Sequence, residues 1–199
     1  MLRFLIPRRR TVSLLGEAQG AALLEFAIVL PLLVVFVVGI FDFSGGFNQK
    51  QKIEQAAQEG AIIAGAQPMT DIALNASATP SNPDSLQPVV TAIVNSLSGS
   101  GVLSQGACPP PFPASTQDKL TWTYTIVGCS NANPEDPLVI TINRGWVSAA
   151  GAPRAVGTSV KVTYPYHWRF NSVIQLLIPG ASYAAIPQLS ESATVHNQM

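Results

Sequence analysis

Hydrophobic and polar positions divide the chain into an apolar N-terminal part and a mixed remainder. From Ala21 to Phe41 every side chain is apolar except that of Glu25. At about 1.5 Å per residue, this run forms a helix of roughly 30 Å, the thickness of a bilayer's hydrocarbon core. The pattern therefore predicts a transmembrane helix, with Pro31 as the position of a mild kink because proline removes one backbone hydrogen bond.

Beyond Phe43 the helix is predicted to continue to Ala66. An apolar face recurs at mostly three- or four-residue intervals and comprises Phe47, Ile53, Ala57, Ala61 and Ala64. Small residues are concentrated in the same segment: Ala56, Ala57, Gly60, Ala61, Ala64 and Gly65. They permit close approach either by the protein's own sheet or by the helix of a neighbouring subunit, and we favour the protein's own sheet for the outer half.

The remainder of the chain is predicted to contain one amphipathic helix and several strands. Apolar residues recur at helical spacing from Leu86 to Leu97, and Asp84 or Ser85 is expected to cap this helix. Three segments have the two-residue period of strands, around residues 120–126, 138–142 and 160–164. A last strand is predicted within 182–196, although Glu191 falls on its apolar face.

These elements predict an α+β protein, in which a long transmembrane helix precedes a domain with an antiparallel sheet of about four strands. The predicted organisation is a basic leader over residues 1–20, the transmembrane and extended helix over 21–66, and an extracytoplasmic domain over 67–199. The last part is long enough to form one domain with its own core.

Charge is balanced overall but uneven along the chain. The formal net charge of the 199 residues is zero, which argues against a nucleic-acid-binding protein. The leader carries four arginines and one glutamate before Gly20, a net charge of +3 (4 − 1). By the positive-inside rule the N-terminus stays cytoplasmic and the rest crosses the membrane. A secretory signal peptide is the alternative, but its apolar segment would be shorter and would end at a cleavage site.

The residues around Gly20 resemble a known processing motif. Gly20-Ala-Ala-Leu-Leu-Glu25-Phe26 looks like the prepilin motif of the Flp and Tad branch of type IV pilins. Together with Gly39-Ile-Phe-Asp-Phe43 and Gln55-Ala-Ala-Gln-Glu-Gly-Ala61, it resembles the N-terminal signature of the TadE-like family. The resemblance covers about 20–66 and partly supports the expectation of a pilin-like domain.

The resemblance implies a minor pseudopilin of the Tad, or Flp, pilus in the bacterial inner membrane. A prepilin peptidase would cut between Gly20 and Ala21, and the partners would be this peptidase, membrane lipid, other pilins and the assembly platform. Glu25 would become the fifth residue of the mature chain. It would then either neutralise the α-amino group of Ala21 on an adjacent subunit or, with Phe26, serve only to mark the peptidase site.

Cys108 and Cys129 are the two cysteines of the chain and both follow the predicted span. In an oxidising compartment an even pair predicts a disulfide, which would stabilise the domain by roughly 3 kcal/mol. Two buried free thiols are the alternative.

No pattern of catalytic or metal-binding residues is evident in the sequence. Neither His167 nor His196 has metal-ligand spacing, and phosphate-binding glycine motifs are missing. Oxygen-bearing residues within 131–136 are interpreted as a solvated turn rather than a calcium site. We therefore predict no enzyme activity, cofactor or metal. The alternative function is a membrane-anchored, adhesin-like binding module, which exposed aromatic residues such as Trp146 or Trp168 would favour.

Overall fold

One long helix dominates the N-terminal third of the protein. The structure is a computed structural model that describes residues 14–72, 82–104, 108–118, 120–130, 133–148, 156–168 and 188–197, with 175 and 180. Helix α1 spans Leu14–Ala66, which is 53 residues or about 80 Å, and it continues through Pro31. Residues 1–13 of the predicted leader lie outside the described residues.

The second part of the protein is a five-stranded antiparallel sheet with one further helix. A 3-10 turn at Asp84–Leu86 leads into α2. The bounds are α2 Gln87–Gly99, β1 Ala114–Asp118, β2 Thr121–Ile126, β3 Leu138–Val147, β4 Val156–Pro165 and β5 Gln188–His196. The strands are neighbours in chain order, β1-β2-β3-β4-β5. This confirms the predicted α+β class.

The additional strand is β1, in a segment for which the sequence pattern predicted no helix or strand. Its residues, Ala-Ser-Thr-Gln-Asp, show no apolar alternation. Its pairing with β2, in which Ala114 lies opposite Tyr124, places it at the edge of the sheet. An edge strand needs only one partner, so its hydrophobic pattern carries little information.

The core lies between one face of the sheet, the outer half of α1, and α2. Tyr124, Ile140 and Val162 lie opposite one another across β2, β3 and β4, and all three are fully buried. A Cβ atom at Gly60 would lie 2.5 Å from Cδ1 of Ile93 on α2. The small residues of α1 thus serve packing within the protein. Because Ile53 and the buried alanines of α1 share the core of the sheet, the packed unit begins before residue 67.

Two positions on this packed surface differ from the simple pattern. Glu191 of β5 faces α1, where its Oε1 lies 3.2 Å from Nζ of Lys50, so an ion pair accounts for a carboxylate on the apolar face. Phe47 was predicted on the packed face of α1 but is 63% exposed. The preceding residue, Gly46, is the one that faces the domain, since aromatic side chains occupy the space there.

A backbone N–H group just before α2 is hydrogen-bonded by a side chain from outside the 84–99 segment. Neither Asp84 nor Ser85 makes a side-chain capping bond, so this detail of the sequence analysis is wrong. Instead the backbone N–H of Ser85 donates to Oδ2 of Asp71 at 2.8 Å. A carboxylate at this end also complements the positive end of the helix dipole.

A buried arginine donates hydrogen bonds to backbone carbonyl groups at the end of α1. Arg144 of β3 is 1% exposed, and its Nη2 donates to the carbonyl of Gln67 at 2.7 Å, just beyond the last helical residue. The last carbonyls of a helix have no partner within it, so a cation fits there. Burial lowers the pKa of Arg144, while the negative charge of Asp71 acts in the opposite direction. Arg144 thereby links the sheet to the end of α1.

Candidate functional site

The apolar half of α1 projects without cover from the rest of the protein. The large side chains of Leu23, Phe36 and Phe41 are 70%, 64% and 74% exposed. Within the described residues, α1 is the one helix long and apolar enough to span a membrane, and none of its most apolar window is buried. The core helix of a soluble domain would bury such residues. This apolar surface needs an environment that the described residues do not provide.

Glu25 lies on this exposed surface, five positions after Gly20. Its side chain has no hydrogen bond or ion pair with any described residue, and neighbouring Phe26 is 62% exposed. A carboxylate within a membrane costs roughly 2.5–3.5 kcal/mol on insertion scales. A partner that offsets this cost has to come from another molecule or from residues outside those described.

The bond between Gly20 and Ala21 lies within continuous helix. A Cβ atom at Gly20 would meet nothing within 4 Å, so the position is accessible. Proteases bind extended backbone, so cutting here requires the helix to open locally. Glycine lowers helix stability by about 1 kcal/mol relative to alanine, which favours opening at this point.

A second group of residues joins α1 to the domain directly after the apolar run. We call this group the junction cluster: Asp42, Phe43, Gly45, Gly46, Tyr166 and Trp168. The rings of Tyr166 and Trp168 meet edge to face at 4.8 Å between centroids, and Phe43 contacts Trp168 at 5.3 Å. The Tyr166 hydroxyl lies 3.1 Å from the Asp42 carbonyl and 3.3 Å from Oδ1 of that residue.

The two glycines of the junction cluster allow this contact. A Cβ atom at Gly45 would lie 2.9 Å from the Tyr166 hydroxyl oxygen, and one at Gly46 would lie 3.2 Å from Cη2 of Trp168. This cluster was not predicted from the sequence. The aromatic series from Tyr164 to Trp168 was the available signal, but its partner on α1 lies 124 residues away from Tyr166.

A surface histidine lies next to the junction cluster. Nε2 of His167 lies 2.8 Å from Oδ2 of Asp136 and 3.0 Å from Nδ2 of Asn133. These contacts dock the turn at 133–136 onto the end of β4. Neither partner is a hydroxyl or thiol that a histidine base would activate. Within the described ranges, no group of three or more His, Cys, Asp or Glu side chains is arranged to hold a metal ion.

Cys108 and Cys129 are bonded as a disulfide in the structure, with their Cα atoms 5.6 Å apart. Cys129 is buried in the domain core and Cys108 packs against that core. The bond closes the irregular segment that leads to β1 onto the end of β2. Its place is thus inside the domain, away from Gly20 and Glu25.

The tryptophans that would have favoured a binding module are both half-buried. Trp168 packs on α1 in the junction cluster, and Trp146 lies against Gly157 of the adjacent strand. Each side chain is therefore already occupied by a contact within the protein. Neither forms an exposed aromatic platform.

The described residues define a protein with one exposed apolar helix of membrane-spanning length, which the junction cluster joins to an α+β domain. Residues 20–61 match the family model described as TadE-like protein, which confirms the resemblance seen in the sequence. That family is structural and is associated with the Tad pilus. The match ends within α1 and includes none of the sheet. No curated protein matches the chain, and no solved structure does.

Proposed function

We propose that the protein is a minor pseudopilin of a Tad or Flp-type pilus, matured by a prepilin peptidase that cuts between Gly20 and Ala21. The observation that carries the proposal is the coincidence of two boundaries. The family match begins at residue 20, and the apolar run of α1, whose large side chains are mostly exposed, begins at Ala21. A chain built in this way has its processing site at the edge of its membrane anchor.

The proposed location is the bacterial inner membrane, crossed once, with the N-terminus in the cytoplasm. The net positive charge of the leader supports this orientation. The domain that contains the sheet then lies outside the cytoplasm, where the disulfide between Cys108 and Cys129 is compatible with oxidising conditions. Partners are the peptidase, membrane lipid, other pilins and the assembly platform.

Glu25 is the proposed assembly residue. It is exposed and has no partner among the described residues, so the α-amino group of Ala21 on an adjacent subunit can pair with it inside the apolar bundle. Leaving one member of a buried pair alone costs roughly 3–5 kcal/mol, which would select one register between subunits. The alternative role, recognition by the peptidase alone, uses the same exposed position.

N-terminal sequencing and intact mass of the membrane-extracted protein test the proposal, with and without the peptidase. We expect an N-terminus at Ala21 that depends on the peptidase, and loss of cutting in Gly20→Leu. An Ala27→Leu variant controls for an added side chain at an exposed position of the apolar helix outside the Gly20–Phe26 motif. An uncut chain, or a peptidase-independent cut after the apolar run, would contradict the proposal.

Glu25→Gln separates the two roles of the carboxylate. If Glu25 acts in assembly, the variant is cut normally but fails to support pilus formation. A variant that is not cut assigns Glu25 to peptidase recognition, whereas normal cutting and normal pili would remove both roles.

A further inference from the structure

An open cleft of about 650 Å³ lies between α1 and the end of the domain that faces the apolar run. Val38 and Phe41 line one end of the cleft and Lys52 lines the other, 14 positions or about 21 Å further along the helix. The opposite wall includes Asp136 and the end of β4. The anchor end of the cleft is therefore mainly apolar, apart from the Asp42 carboxyl, whose Oδ1 lies 3.3 Å from the Tyr166 hydroxyl oxygen, and the domain end is polar.

Along α1 the cleft changes from apolar to polar in the same direction as a bilayer does from its hydrocarbon core to its headgroups. If the apolar run fills the hydrocarbon core, its boundary falls near Phe41, and a headgroup layer of about 5–8 Å follows. The Cα atom of Lys52 lies 11 positions, or about 16 Å, beyond Phe41, and its long side chain leans toward the N-terminus of the helix and thus back toward this layer. The aromatic rings of the junction cluster lie at the same level, where tryptophan and tyrosine are enriched in membrane proteins.

The cleft also offers charges of both signs. Lys52 is half-buried and has no carboxylate partner among the described residues, whereas nearby Lys50 is paired with Glu191. Asp136 uses Oδ2 to bind His167, and Oδ1 has no hydrogen bond with any described residue. A molecule that presents both an anionic and a cationic group complements this arrangement.

We infer that the cleft binds the headgroup of one amine phospholipid of the outer leaflet, with phosphatidylethanolamine as the fitting chemistry. The lipid phosphate binds the Lys52 ammonium, and the lipid ammonium donates to the free oxygen of Asp136. The acyl chains leave past Val38 and Phe41. This inference rests on the proposed membrane anchoring, and it adds a specific lipid to the general contact with the bilayer.

Native mass spectrometry of the full chain released from nanodiscs tests the inference. The nanodiscs contain equal amounts of phosphatidylethanolamine, phosphatidylcholine and phosphatidylglycerol. We expect phosphatidylethanolamine to be retained preferentially, because the methylated amine of phosphatidylcholine has no N–H donor and phosphatidylglycerol has no cation. Equal retention of the three lipids, or preference for either of the others, would overturn the inference.

Variants locate the retained lipid. Lys52→Gln and Asp136→Asn each should reduce retention about tenfold, since a hydrogen bond to a charged group is worth at least that factor. Lys52→Arg should keep it, and Lys50→Gln is the matched control because Lys50 does not line the cleft. Unchanged retention in Lys52→Gln would refute the assignment to this cleft.

Incorporation into nanodiscs separates this inference from the proposed function. A chain that incorporates but retains no particular lipid overturns the lipid site and leaves the anchor intact. A chain that does not incorporate overturns both.

Discussion

Replacing Arg144 with methionine tests whether the arginine holds the sheet to the end of α1. The variant keeps a long side chain but removes the donor that lies 2.7 Å from the Gln67 carbonyl. It also removes the positive charge that acts on Asp71, whose carboxylate holds the start of the 3-10 turn before α2. Both effects act where α1, α2 and the sheet meet.

The expected loss follows from these contacts. A hydrogen bond to a charged group contributes about 1.5–3 kcal/mol, and leaving a buried partner unpaired raises the cost to roughly 3–5 kcal/mol. Burying the guanidinium is itself costly, since its Nε has no hydrogen-bond partner among the described residues. Methionine recovers part of that cost, so we expect a net loss of about 2–4 kcal/mol in the free energy of unfolding.

Thermal unfolding of the full chain in detergent, followed by near-ultraviolet circular dichroism, measures the effect. At about 2–4 °C per kcal/mol, Tm should fall by roughly 4–16 °C. Lys161→Met is the matched control, because Lys161 is exposed on β4 and should change stability by less than about 0.5 kcal/mol. Asp71→Asn combined with Arg144→Met should show a coupling of about 0.5–3 kcal/mol.

An Arg144→Met protein as stable as the wild type would refute this reasoning. Buried ionic groups can be replaced by apolar side chains without loss when desolvation outweighs their attraction. That result would mean that the end of α1 needs packing but not a cation.

Four further predictions concern the domain core. Gly60→Ala should lower the free energy of unfolding by about 1 kcal/mol, because overpacking against α2 outweighs the gain in helix propensity. A variant that proves more stable in denaturant unfolding would contradict this prediction. Tyr164→Phe should cost about 1 kcal/mol by losing the 2.7 Å hydrogen bond to Ser130, whereas Tyr124→Phe should cost nothing, since that hydroxyl has no described partner. Burial raises the pKa of Tyr124 above its ordinary 10.0, so above about pH 10 the folded state keeps a proton that the unfolded chain releases. The free energy of unfolding should therefore fall above that pH, and Tyr124→Phe should weaken this fall in a pH series. Reduction of the disulfide should lower stability by about 3 kcal/mol, and an unchanged Tm after reduction would argue against the pairing.

Part of the fold could be predicted because it is encoded by local pattern. The strands β2, β3 and β4 alternate apolar and polar residues since one face of the sheet is buried, and the predicted segments lie within or overlap the observed ones. The edge strand β1 lacked that pattern and was missed. The strand β5 was placed correctly, but Glu191 was explained only by Lys50 on another element.

The residues of the candidate site could likewise be predicted only where they lie in one short segment of the sequence. Gly20, Glu25 and Phe26 were predicted as site residues because their short segment resembles a processing motif, and the family match begins at the first of them. The junction cluster was missed because α1 supplies its glycines and the end of β4 supplies Tyr166 and Trp168. In the structure the two glycines leave room for these two rings, which no local pattern in the sequence indicates.

The sequence by itself determined the apolar helix and the alternation of the buried strands, because these depend on the solvent that each side chain meets. A residue facing lipid or a core has to be apolar whichever neighbour it contacts. Tertiary structure alone decided which distant groups pair at the element ends. Asp71 reaches Ser85 across 14 residues and Arg144 reaches Gln67 across 77, and only the folded chain brings such donors and acceptors within hydrogen-bond distance.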